Sequence, residues 1–217
     1  MNNAIGAALV TTILLAGCGS KTDANEKNFG AAIKQYLDKK GELCLNLTRW
    51  PIDLSQDDLR LQKVFPTGRA GSMAALEAAG LTKSEDAAVQ GKGILGEPNG
   101  VMFKVKRYTL TDAAKPYERQ KVVDDFGTKE TQIDLCWGKE VLDKVVKWEG
   151  PMKFGDYQEA SVKYQYRIEG MADWARKPEF LAAFPHVAQI TEGAGKNEHQ
   201  HGVKLTNQGW EALALDN

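Results

Sequence analysis

The sequence predicts an α+β protein whose sheet is antiparallel and wet on one face. Two stretches carry that expectation. Between Gln158 and Ile168, the residues Ala160, Val162, Tyr164, Tyr166 and Ile168 alternate with Glu159, Ser161, Lys163, Gln165 and Arg167. A period of two with one polar side is the pattern of a strand buried on its other side. Between Asn28 and Lys40, the residues Phe29, Ile33, Tyr36 and Leu37 recur at helical spacing, and Gly41 closes the run. The chain has 217 residues, 42% of them hydrophobic. That is enough to bury a core without a metal or a dense disulfide framework.

The remaining elements follow in order. "ELCLNL" alternates Leu43, Leu45 and Leu47 with Cys44 and Asn46, which reads as a strand buried on one face. Ser55, with Asp58 three residues on, caps a short helix over Ser55–Val64. Ser72 is expected to cap a helix at Met73–Ala79 that Gly80 closes. A Gly-rich stretch from Gly91 to Gly100 leads to a strand at Val101–Tyr108, and Thr111 or Asp112 opens a short helix. "TQIDLCW" puts Thr131, Ile133, Leu135 and Trp137 on one face, and a separate strand is expected over Lys144–Glu149 before Gly150-Pro151. A helix over Met171–Phe184 is interrupted near Pro178. "VKLTNQGWEAL" reads as a strand running into a capped helix, and "YTLTDAAKPY" ends the first half with the same Leu-Thr-Asp/Asn step.

In the first half the order is helix, strand, helix, helix, strand, Gly-rich loop, strand. With "YTLTD" leaving the last strand for a helix, it resembles a winged-helix domain over Asn28–Arg119. The expected organisation is a winged-helix-like half at 28–127 and an antiparallel-sheet half with helices at 128–217. The resemblance brings no nucleic-acid partner with it. The third helix, "SMAALEAAG", has no side chain suited to base edges, and a net charge of −1 attracts no polyanion.

The first twenty residues carry an address. Ala4–Leu15 is apolar and too short to span a bilayer, which takes about 20 residues, and small residues follow it. Leu15-Ala16-Gly17-Cys18 resembles the lipobox of bacterial lipoproteins. That resemblance implies a signal peptide at 1–17 removed before Cys18, a diacylglycerol thioether on Cys18 and an acyl chain on its new amine. Several chains together anchor a protein firmly to a membrane. The run departs from the usual signal in having no Lys or Arg ahead of the apolar stretch. Gly19, where retained lipoproteins carry Asp, implies the outer membrane, facing the periplasm. "GSKTDANEK" then reads as a flexible tether, placed at 18–27.

In that compartment Cys44 and Cys136 form an even pair once Cys18 is lipidated, and a disulfide between them is expected. It would close a loop of roughly 90 residues, for which the chain-entropy model gives at most about 4–5 kcal/mol.

Candidate chemistry is sparse. "NEHQH" brings Glu198, His199 and His201 together as a conceivable metal ligand set, but it follows "EGAGK" and reads first as an exposed loop. "GKGILG" matches a dinucleotide fingerprint by letters. It lacks the following helix that would meet a pyrophosphate, and Pro98 and Gly100 make it a hairpin loop. Asp124-Asp125 and Glu140/Asp143 are acidic pairs that nothing distinguishes from a solvated surface. Trp137, Trp148, Trp174 and Trp210, with Tyr157, Tyr164 and Tyr166, read as core before ligand groove. No cofactor motif is present. The expectation is a non-catalytic envelope lipoprotein that binds a protein partner or small ligand. A periplasmic hydrolase using Glu198/His199/His201 or unassigned carboxylates is the first alternative, and a carrier of a lipid or small hydrophobic ligand is the second.

Overall fold

A computed structural model of the chain describes residues 20–47, 49–92, 97–125 and 128–215. The signal peptide, Cys18, Gly19 and the tip of the "GKGILG" stretch lie outside the described residues. The order of elements is α1 (Glu26–Lys40), β1 (Glu42–Cys44), β2 (Ile52–Ser55), α2 (Gln56–Leu61), α3 (Arg69–Ala78), β3 (Thr82–Lys92) and β4 (Pro98–Leu110). A 3-10 helix at Asp112–Tyr117 precedes β5 (Glu118–Asp125), β6 (Thr128–Phe154) and β7 (Tyr157–Glu169). Another at Asp173–Arg176 precedes α4 (Pro178–Ala183), α5 (Pro185–Gly193), β8 (Glu198–Thr206) and β9 (Gly209–Ala212). The strands make two antiparallel sheets: one in the order β1-β6-β7-β8-β9, with β5 also on β6, and a smaller one in the order β2-β4-β3. The protein is therefore mixed α and β with antiparallel sheets.

Local sequence explains the helix ends. The Asn25 side chain accepts the Asn28 N–H at 2.9 Å, Glu26 sits in the first turn of α1, and Lys39 and Lys40 sit in its last. In α2, Ser55 and Asp58 form the expected capping box. Helix α3 starts earlier than expected, with Gly68 as its cap. Ser72 is inside the helix, where its hydroxyl donates to the Ala183 carbonyl of α4 at 3.4 Å. Its far end closes as expected: Gly80 takes φ 78°, and the N–H groups of Gly80 and Leu81 reach back to Glu77 and Leu76.

A winged-helix first half is not supported. β2, α2, α3 and the β3–β4 hairpin follow the expected order, but α1 does not join them. Its buried Phe29, Ala32, Ile33 and Leu37 cover Ala160, Val162 and Tyr164 of β7, Val203 of β8 and Trp210 of β9. Helix α3 packs on α4 instead. A second core joins Leu43, Leu54, Met73, Leu76 and Tyr108 to Leu135, Trp137, Trp174, Phe180 and Phe184. Packing thus runs across the expected boundary at 127.

Three further expectations are corrected. The stretches "TQIDLCW" and Lys144–Glu149 belong to one strand, β6, which pairs β5, β1 and β7 in turn and shifts register three times against β7. The C-terminal "NQGWEAL" makes a hairpin, not a helix. Gly209 turns at φ 119°, and Trp210 is buried against Phe29 at 4.8 Å, which holds β9 extended. The stretch expected to be a flexible tether is pinned from Ser20 onward. The Asn28 amide donates to the Ser20 and Asp23 carbonyls at 2.8 Å each, and the Trp210 indole N–H donates to the Thr22 carbonyl at 3.1 Å.

Cys44 lies opposite Cys136 in the β1–β6 ladder, and the two are joined by a disulfide. No helix among the described residues is long and apolar enough to cross a membrane.

Candidate functional site

The "NEHQH" stretch is not a loop but the start of β8. Strand alternation places His199 and His201 on the face that α1 covers, opposite Tyr164 and Val162 of β7, and turns Glu198 to the other face. The His201 ring stacks on Tyr36 with centroids 3.9 Å apart. Its Nε2 is 2.8 Å from the Leu213 carbonyl, which can only accept, so that nitrogen carries the proton. Glu198, His199 and His201 therefore do not converge. Among the described residues no group of three or more His, Cys, Asp or Glu side chains could hold a metal ion.

The fold builds a different cluster around His199. Tyr166 lies 4.6 Å and Tyr164 5.8 Å from its ring, and Glu140 Oε2 lies 3.8 Å from its Nδ1. The sequence offered Glu140 only as half of an acidic pair with Asp143. In the fold the pair separates: the Glu140 side chain is 14% exposed, whereas Asp143 is on the surface. Burial raises the Glu140 carboxyl above its ordinary value, and His199 opposes that rise. Burial also pushes the Tyr164 and Tyr166 phenols up, and the Glu140 charge adds to both. The Tyr166 hydroxyl donates to the Ile190 carbonyl at 2.8 Å, tying α5 to the sheet. The cluster holds an acid and a base in contact, with His199 40% exposed, but its phenols are kept neutral. The Cys44 and Cys136 thiols are consumed by each other. It therefore presents no activated nucleophile.

Beside it, α1 and the edge of β6 enclose a groove of about 410 Å³. Its apolar side is Gly30, Leu37 and Leu142, and its rim is Lys27, Lys34, Asp38, Lys139, Arg167 and Glu169. The rim charges largely answer one another: Asp38 binds Lys34 at 2.7 Å and Lys139 at 3.2 Å, and Arg167 pairs with Glu169. Those two lysines hold the Asp38 carboxyl below its ordinary value. A groove with an apolar floor and a rim of paired charges suits a small ligand or a side chain of a partner.

The expected aromatic core holds for Trp137, Trp174, Trp210, Tyr164 and Tyr166, all buried. Trp148 and Tyr157 are exposed, as are Leu61, Val64 and Phe65 after α2 and Val101, Met102 and Phe103 on β4. No period in the sequence separates these from core residues: Met102, Phe103, Trp148 and Tyr157 are all paired in a sheet ladder yet stand exposed.

No family model, no curated protein and no solved structure matches the chain.

Proposed function

We propose that the chain is a lipid-anchored bacterial envelope protein, held at the outer membrane through Cys18, whose folded part binds a protein partner or small ligand without catalysing a reaction. The observation that carries this reading is the Cys44–Cys136 disulfide in a chain that opens with a lipobox-like run. Disulfides persist in oxidising compartments such as the periplasm, and a lipoprotein signal leads there. The groove between α1 and β6 is the binding surface that fits best, because it is preformed and joins an apolar floor of Leu37, Val141 and Leu142 to a charged rim.

The hydrolase alternative would have to rest on other carboxylates, since Glu198 stands on the face opposite His199 and His201. The carrier alternative predicts a cavity near β7; α1 covers the middle of that strand with Phe29, Ile33 and Leu37, and the groove meets it at Arg167 and Glu169.

The test is expression of the full chain in a Gram-negative bacterium with labelled palmitate. Labelled protein in the membrane fraction, a diacylglyceryl mass on the Cys18 peptide and release of Cys18→Ala to the soluble fraction are expected. An unmodified Cys18, or free Cys44 and Cys136 thiols in protein alkylated without reductant, would overturn the reading.

A further inference from the structure

We infer that the tip of the β6–β7 hairpin is a membrane-contact surface, lying against the same bilayer that holds Cys18. The inference rests on the reading of Cys18 as acylated and adds to it an orientation and a second contact. Three observations support it.

The first is register. Met152 pairs with Glu159 and Phe154 with Tyr157. Glu159 pairs with Lys204, and Lys204 with Glu211. The hairpin tip and the β8–β9 turn at Thr206–Gly209 therefore lie at one end of the sheet. Adjacent strands are about 4.8 Å apart, so β7 and β9 are separated by roughly 10 Å.

The second is where the chain enters. Ser20, Lys21 and Thr22 are fixed at that same end, with Thr22 bonded to Trp210 and Lys21 packed against Gly209. Only Gly19 separates Ser20 from Cys18, a span of about 7 Å at most. An acylated Cys18 sits at the lipid boundary, so the end of the sheet that carries Ser20 faces the bilayer closely.

The third is the surface found there. Met152 is 56% exposed, Phe154 66% and Tyr157 42%. Directly paired residues share a face, as do residues two apart on one strand, so these three side chains form one patch on the side away from α1. The Tyr157 hydroxyl donates to Glu159 at 2.8 Å, keeping its polar end satisfied while the ring stays bare. Apolar residues beside a tyrosine suit the boundary between acyl chains and headgroups. Lys21, Lys153 and Lys204 at this end are balanced by Asp156, Glu159 and Glu211, so apolar area rather than charge would hold it.

The test uses the acylated full-length protein in vesicles of phosphatidylethanolamine and phosphatidylglycerol at three to one. An environment-sensitive fluorophore is placed at Phe154→Cys or, separately, at Lys196→Cys, which precedes β8 at the opposite end of the sheet. A blue shift with several-fold brighter emission and quenching by spin-labelled lipid is expected at 154 and not at 196, with little change on raising salt. Met152→Cys repeats the measurement should the first variant fold poorly. Acylated protein whose 152 and 154 probes both stay in water would overturn the inference and leave the anchor standing. An unmodified Cys18 by mass would remove the anchor, and this inference with it.

Discussion

Glu140 on β6 and His199 on β8 meet across the intervening strand β7, with Oε2 and Nδ1 3.8 Å apart. The raised Glu140 carboxyl gives this pair a pH signature. A carboxyl whose folded value lies above its unfolded one favours the folded state fully below the ordinary value of 4.5, and that contribution is lost as pH rises through the folded value. Glu140→Gln removes the titration. Its urea midpoint should match the parent protein near pH 4 and exceed it at pH 7.5; a constant gap across that range would count against a buried, titrating Glu140.

Asp53 and Arg107 give the opposite sign. Arg107 donates to both Asp53 oxygens, at 2.7 and 2.8 Å, and holds the carboxyl below its ordinary value of 3.8. Stability from this pair is present above 3.8 and lost as pH falls through the folded value. Asp53→Asn should cost on the order of 1 kcal/mol at neutral pH, the pair being partly exposed, and progressively less toward strong acid. Acid titrations of the two proteins by circular dichroism would show the curves converge.

The disulfide fixes β1 to the middle of β6 over a sequence separation of 92 residues. Cys44→Ala/Cys136→Ala should lower stability by about 2–5 kcal/mol. Reductant should bring the parent protein down to the double variant and leave the double variant unchanged, as read from guanidinium unfolding.

Two phenylalanines near the same end of the sheet should behave differently. Phe29 is fully buried between Trp148 and Trp210, with ring centroids 5.4 and 4.8 Å away. Phe29→Ala should cost about 3–5 kcal/mol and shift the tryptophan fluorescence. Phe154→Ala at the exposed hairpin tip should change stability in solution by less than about 0.5 kcal/mol.

Where a side chain's fate is decided locally, the sequence showed it. The alternation of Gln158–Ile168, the α1 stripe, the Ser55/Asp58 box and the Gly80 stop all describe neighbours within a few residues. Elements decided by distant partners were hidden. β3 reads "TKSEDAAVQGK", poor in strand formers, and is strand because β4 supplies its whole ladder. β6 hides behind its register shifts, since each one breaks the period of two that would reveal it. The candidate site was hidden by its distant partners too. Glu140 looks like any surface acid until pairing with Ile168 of β7 turns it inward, and His199 looks like loop until β7 orders it as strand.

The bond between the Trp210 indole and the Thr22 carbonyl joins residues 188 apart. Helix α1 is made first, yet what covers its apolar face is made last, ending with β9. Contacts of such range are slow to form, and a chain synthesised at about 5–20 residues per second leaves Phe29 and Ile33 unburied for many seconds. Until β7, β8 and β9 arrive, the apolar stripe of α1 has no partner. A chain cut short before Gly209 would lack Trp210, and with it both the ring against Phe29 and the bond that holds Thr22.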